Sequence, residues 1–171
     1  DALAFADFNG DGKLDLAVGS SFGGVTVLLG NGDGTFRQSI YVSSDPVAAL
    51  AAGDLTGNRL RDLVVNSYQT RQTTVFIAKG DGTFQAGPRY PSTSGGGVVL
   101  TDFNGDGRID MVRLNGGRPV SGGSLAEFFA GVGDGTFLAP IQLSILGLFA
   151  TVGDLNLDGR PDLAIDWDGC V

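Results

Sequence analysis

Histidine is absent from this 171-residue chain, and cysteine occurs once, as Cys170. The first absence removes the commonest general base and the commonest transition-metal ligand. The second leaves no partner for an intrachain disulfide, and no special role is expected of Cys170. Glutamate occurs only as Glu127, and lysine only as Lys13 and Lys79. That scarcity argues against long charged surface helices. No apolar run reaches the length of a membrane-spanning helix, so membrane insertion is not expected, and no leader-like segment is visible. No basic patch exists to neutralise phosphates, which excludes nucleic acid as an expected partner.

Glycine and aspartate are plentiful instead. There are 29 glycines, the formal charge is −8, and 18 of the 19 acidic residues are Asp. Eleven of those 18 fall in four short segments. Asp7-Phe8-Asn9-Gly10-Asp11-Gly12-Lys13-Leu14-Asp15 returns as residues 102–110 and 154–162, and a degenerate copy occupies 54–62. Their first aspartates are spaced by 47, 48 and 52 residues. A second marker, Gly-Asp-Gly-Thr-Phe, begins at Gly32, Gly80 and Gly133, with spacings of 48 and 53. Two independent markers with one period define a repeat of about fifty residues, the range of solenoids and propellers.

Each repeat contains four strand-length apolar runs bounded by Gly, Asp and Asn. The Asp loop joins the first and second runs. The Gly-Asp-Gly turn joins the third and fourth, and its Asp-Gly pair suits a tight hairpin needing positive φ. The first run is rich in Ala, Gly and Val, as befits an innermost strand. The expected fold is all-β: a β-propeller with four-stranded antiparallel blades in a partial, open ring. The repeats run approximately 1–46, 47–94, 95–146 and 147–171, the last incomplete. Starting at Asp1 and stopping within a repeat, the chain reads as part of a longer protein. An insertion at 115–123 lengthens the third repeat. Alternating strand directions place the variable connections (20–24, 67–73, 91–97, 115–124) on one face and the Asp loops on the other.

In the pattern D-x-N-x-D-G-x-x-D, odd positions converge as the backbone curls, and glycine at the sixth position permits the left-handed turn. An all-oxygen donor set suits Ca²⁺, which takes six to eight oxygens. The candidate ligands are Asp7, Asn9, Asp11, the carbonyl of Lys13 and Asp15. The third loop offers Asp102, Asn104, Asp106, Arg108 and Asp110; the fourth offers Asp154, Asn156, Asp158, Arg160 and Asp162. The seventh-position basic side chains are expected to face solvent. In the second loop Asp54, Thr56, Asn58, Leu60 and Asp62 supply fewer strong donors, and Arg59 replaces the glycine. That loop is the candidate for a metal-free turn. The alternative for all four is Asx-rich turns that close on themselves. An EF-hand is excluded, because position 12 is Val18, Arg113 or Ile165 rather than a bidentate Glu. The Gly-Asp-Gly-Thr-Phe turn lacks the following Lys-Ser/Thr of a phosphate loop. Its Phe36, Phe84 and Phe137 are expected to wedge between blades. Trp167 is a core or pocket-lining candidate, and Tyr68, Arg71 and Arg118 are contact candidates on the variable face.

These motifs, with Gly30-Asn31-Gly32-Asp33-Gly34-Thr35-Phe36, make the whole chain resemble the FG-GAP/VCBS repeat family, which includes the integrin α-subunit propeller. The resemblance implies a Ca²⁺-binding propeller, usually seven-bladed, on secreted or cell-surface proteins, with the remaining blades of a parent protein as partners. The expected role is a calcium-stabilised binding or adhesion scaffold that presents variable loops to a protein or glycan. No nucleophile–base pair stands out, so catalysis is not expected. A propeller part of a secreted carbohydrate-active enzyme and a structural spacer are the alternatives.

Overall fold

The computed structural model describes residues 1–93, 95–115, 126–145, 147 and 149–166. Most of the 115–123 insertion, Arg118, Trp167 and Cys170 lie outside the described residues. The described chain is all strand and turn. The first blade consists of β1 (Ala2–Ala6), β2 (Asp15–Ser20), β3 (Gly24–Gly30) and β4 (Phe36–Ser43). The second contains β5 (Ala49–Gly53), β6 (Asp62–Ser67), β7 (Gln72–Ala78) and β8 (Phe84–Pro91). The third contains β9 (Val98–Thr101), β10 (Asp110–Leu114), β11 (Ala126–Phe129) and β12 (Ile141–Leu143). Two further strands, β13 (Ala150–Gly153) and β14 (Asp162–Ile165), pair separately. Within each sheet the strands are antiparallel and spatially ordered as in the chain.

The first strands β1, β5, β9 and β13 lie successively against one another, which makes them the inner strands of a partial propeller. Small side chains suit this close approach in β5 (Ala-Leu-Ala-Ala-Gly) and β13 (Ala-Thr-Val-Gly), while β9 (Val-Val-Leu-Thr) carries no alanine. Burial follows from each blade's neighbours. Strand β6 is buried along its whole length, whereas β2 alternates buried and half-buried residues. The second blade is covered on both faces and the first on one, so β6 reads as a continuous apolar run and β2 as an alternating one.

Cores form between blades. Ala6, Phe8, Val25 and Val27 of the first blade meet Leu50, Leu63, Val65 and Phe76 of the second. Leu55, Val64 and Val75 meet Met111, Phe129 and Phe137 of the third. The hairpin phenylalanines are the wedges. Phe84 packs edge-on against Phe8 of the preceding blade, with centroids 5.7 Å apart. Phe137 meets Tyr90 at 5.8 Å, its N–H donates to the Tyr90 hydroxyl at 2.7 Å, and Gly135 N–H donates to Leu55 O at 2.9 Å. Phe36 has no preceding blade in the structure and remains 44% exposed.

The Gly-Asp-Gly turn differs from a two-residue hairpin. Asn31 N–H donates to Thr35 O across a five-residue loop, and the positive φ values fall on Gly32 and Gly34. Asp33 instead accepts from the Thr35 N–H and hydroxyl. The aspartate therefore folds the loop with its side chain while the glycines supply the left-handed backbone. The same closures recur at Lys79–Thr83 and Val132–Thr136. The fourth strand of the third blade is also shorter than its apolar run: Phe137 makes only an isolated bridge to Gly131 before β12 begins.

Candidate functional site

The four Asp loops are built from side chains that accept backbone N–H groups. In the first, Asp7 accepts from Gly10 and Asp11 on Oδ1 (2.7 and 3.1 Å) and from Gly12 on Oδ2 (2.7 Å). Asn9 accepts from Asp11 N–H at 2.9 Å, and Asp11 from Lys13 N–H at 3.0 Å. Three successive side-chain turns thus curl the loop. Gly12 sits at φ 79°, with equivalents at Gly107 (82°) and Gly159 (80°). Asp102, Asn104 and Asp106 repeat the pattern, as do Asp154, Asn156 and Asp158.

The ninth-position aspartates occupy a different environment. Asp15 is fully buried; its Oδ2 accepts from Phe8 N–H and its Oδ1 from Gly30 N–H, both at 2.9 Å. Asp110 likewise serves Phe103, Asn104 and Gly131, and Asp162 serves Leu155. Asp15 and Asp110 thereby tie the loop to the end of the third strand of their blade. Among the described residues no three His, Cys, Asp or Glu side chains are grouped as a metal-holding set. The first- and fifth-position aspartates face the exposed loop, and the ninth lies beneath it.

Electrostatics separates the loops further. Arg37 pairs with Asp11 at 2.8 Å. The slight burial of Asp11 acts upward on its carboxyl, but the Lys13 N–H, Arg37 and Asn9 outweigh it and hold it below its ordinary value. In the second loop Asp54 accepts from Asn58 and Arg59, and Asn58 from Leu60, so the turn closes with one carboxylate fewer. Arg59 adopts φ 68° where the other loops have glycine. Burial pushes the Asp62 carboxyl above its ordinary value, against the N–H groups of Ala78 and Leu55 and together with the Asp54 charge.

The seventh-position side chains do not simply extend into solvent. A Cβ added to Gly32 would lie 3.3 Å from Lys13 Cγ, and one on Gly133 would lie 3.4 Å from Arg108 Cδ. Leu60 takes the same place over Gly80. The aliphatic stems bridge the Asp loop to the hairpin of the same blade, leaving the charged heads outside.

On the opposite face, Tyr68 Oη donates to Ser21 O at 3.4 Å and thereby joins the β6–β7 turn to the β2–β3 turn of the neighbouring blade. Tyr68 is 48% exposed and Phe22 is 95% exposed. Arg71 is exposed and lies at φ 54°. Phe22 was not singled out by sequence, since one phenylalanine in Ser-Ser-Phe-Gly-Gly carries no periodic signal.

The described fold and loops define a partial β-propeller built from aspartate-loop repeats. The model of the FG-GAP-like repeat matches residues 7–65, 54–113 and 102–165, and the chain belongs to that family. Mouse (Mus musculus) cartilage acidic protein 1 is 27% identical over 131 residues, covering 67% of this chain and 20% of its own length. An Agrocybe aegerita lectin, solved for its recognition of non-reducing terminal N-acetylglucosamine, superposes with a TM-score of 0.61 at 24% identity. That match covers 93% of this chain and 44% of the lectin. The V. cholerae biofilm matrix protein Bap1 gives a TM-score of 0.46 at 22% identity, over 94% of this chain and 33% of its own. The chain thus spans a fifth of the curated relative and under half of each solved chain.

Proposed function

We propose that this chain is part of a secreted or cell-surface, non-catalytic binding scaffold, stiffened by Ca²⁺ and presenting its variable turns to a protein or glycan. The binding part rests on the cross-blade contact of Tyr68 with Ser21, which draws turns of two blades into one surface away from the Asp loops. A rigid scaffold with loops gathered at one face is a common platform for recognition. Further blades of a longer polypeptide belong to the same reading.

The calcium part rests on donor chemistry. Asp7 and Asp11 offer carboxylate oxygens and Asn9 its amide oxygen beside the Lys13 carbonyl, and ionised carboxylates keep lone pairs beyond the N–H groups they already accept. Asp102, Asn104, Asp106 and Asp154, Asn156, Asp158 offer the same, with the Arg108 and Arg160 carbonyls. Asp15, Asp110 and Asp162 would complete each set from below. A bound divalent ion supplies positive charge that offsets repulsion among the aspartates. The second loop is read as metal-free.

The test is calorimetric titration of chelator-treated protein with CaCl₂, paired with thermal unfolding. About three ions per chain and a melting temperature roughly 15–30 °C higher at 100-fold excess over Kd are expected, since such excess stabilises by about 2.7 kcal/mol per site and about 8 kcal/mol over three. Absence of both heat and shift at millimolar Ca²⁺ rejects the calcium part and leaves the loops as self-closed turns, a reading supported by their own hydrogen bonds.

A further inference from the structure

We propose that Phe22, Tyr68 and Arg71, carried on the two turns that Tyr68 and Ser21 join across the first two blades, form a carbohydrate subsite taking one pyranose ring. This deepens the scaffold reading and rests on it. Phe22 projects from the β2–β3 turn almost wholly exposed, although an aromatic ring at that place gains nothing by facing water. Tyr68 is held from two sides. Its hydroxyl donates to Ser21 O, and its Cβ lies so near the backbone that a Cβ on Gly95 would stand 2.9 Å from it. Among the described residues neither Phe22 nor Tyr68 takes part in an aromatic pair.

Arg71 ends the Tyr68 turn with a left-handed backbone that its side chain disfavours, and its carbonyl accepts from Ser92 N–H. The Arg71 side chain is exposed and takes part in no ion pair among the described residues. Strained non-glycine positions that persist on a surface concentrate where a side chain is needed. The turns are otherwise Ser20, Ser21, Gly23, Gln69 and Thr70. That composition supplies adaptable hydrogen-bonding groups around rigid aromatic anchors.

A pyranose matches this arrangement. One face of the ring is a sheet of C–H bonds that stacks on an aromatic, and the rim carries hydroxyls that a guanidinium fork binds in pairs. A protein partner needs roughly 1,000 Å² of complementary interface with a desolvated apolar centre. Two exposed rings among serines, glycines and a guanidinium suit the smaller polar-rimmed ligand.

The experiment uses the intact chain on a mixed glycan array, then saturation-transfer NMR with the methyl glycosides of the array hits. The expected result is binding to at least one glycan class. Phe22→Ala and Tyr68→Ala should each weaken it at least tenfold, and Phe22→Ala should do so without changing the melting temperature. Arg71→Gly is the diagnostic variant. It removes the strain, so the melting temperature should hold or rise while glycan affinity falls. Phe36→Ala, an exposed ring on another face, should leave binding intact. Glycan binding that survives Phe22→Ala and Tyr68→Ala overturns this subsite and keeps the scaffold reading. A blank array, with a polypeptide display library giving hits lost in Phe22→Ala, overturns the carbohydrate assignment in favour of a protein ligand. Blank results on both overturn the subsite and the binding scaffold together.

Discussion

Replacing Arg113 by Met tests whether the blades are joined by a charge held out of water. The Arg113 side chain is 2% exposed and pairs with Glu127, which is itself buried. Its Nη1 donates to Thr73 Oγ1 and its Nη2 to Pro91 O, each at 2.8 Å, so one guanidinium on the third blade fastens the second. It also lies 5.0 Å from the Phe129 ring centroid. Gln142 also donates to Glu127, at 2.9 Å. Arg113→Met fills much of the volume but leaves the carboxylate without its counter-charge, which costs about 3–5 kcal/mol. For a chain of this size that lowers the melting temperature by roughly 6–20 °C. Arg113→Met/Glu127→Leu removes both charges and should recover most of the loss, since apolar replacement of a buried pair is often neutral. Urea unfolding with unchanged m-values supplies the comparison. The pH dependence adds a second readout. Burial pushes the Glu127 carboxyl up, but hydrogen bonds from Arg113 and Gln142 and the Arg113 charge outweigh it, and the group lies below its ordinary value. The folded state therefore favours the ionised form. This contribution is present above about pH 4.3, the unfolded value, and is lost as pH falls through the lower folded value. The double variant should lack that acid-labile part. A loss below 1 kcal/mol for Arg113→Met, or a double variant no better than the single, refutes the reasoning.

Phe137→Ala should cost about 3–5 kcal/mol by emptying the wedge between two blades, while Phe36→Ala should cost under about 0.5 kcal/mol, as denaturation midpoints will report. Asp15→Asn should cost about 1–3 kcal/mol in chelator, because an amide cannot accept from both the Phe8 and Gly30 N–H groups, and more in Ca²⁺, where a ligand carboxylate is lost as well. An equal loss in chelator and in Ca²⁺ would make Asp15 a brace alone and remove it from the ligand set. The Thr83 hydroxyl and N–H hold the Asp81 carboxyl below its ordinary value. Thr83→Val should therefore move the Asp81 titration upward, measured by carboxyl-carbon NMR between pH 2 and 6.

The blades were legible because their signals are local and repeated. Asp-loop and hairpin markers with one period fix four strands per repeat, and first runs rich in Ala, Gly and Val identified the inner strands that the structure places against one another. The wedge role of Phe84 and Phe137 was also legible, since one large residue after each tight turn has a single place to go. The Arg113 network was not. An arginine inside Met-Val-Arg-Leu looks like the solvent face of a strand, and only Thr73, Pro91 and Glu127, contributed by two blades, show that it is buried. The partition of aspartates was hidden for a related reason. Positions 1, 5 and 9 look equivalent in sequence, yet the ninth faces an N–H of a strand 15 residues onward in the first loop.

The second loop shows which parts of the Asp motif the fold itself requires. It retains carboxylates at Asp54 and Asp62, the two positions that hold backbone N–H groups of the loop and of the third strand. It has lost the fifth-position carboxylate, yet Asn58 accepts the Leu60 N–H at 2.8 Å, as Asp11 accepts that of Lys13 at 3.0 Å. An amide therefore closes the turn as well as a carboxylate does. The glycine too has been dispensed with, at the strain of roughly 1–2 kcal/mol that a left-handed Arg59 implies. The negative charge at Asp11, Asp106 and Asp158 is thus surplus to the turn, and surplus charge beside the first-position Asp is repulsive. Among the described residues only Asp11 has a cationic side chain, Arg37, paired with it. The physical ground for the calcium proposal is this excess: three loops carry a carboxylate that folding alone does not need and that a hard cation would satisfy. It follows that Asp106→Asn should leave the chelated protein no less stable than the parent and should remove one Ca²⁺ from the calorimetric count. Loss of stability in chelator would return the fifth aspartate to the turn and remove that ground.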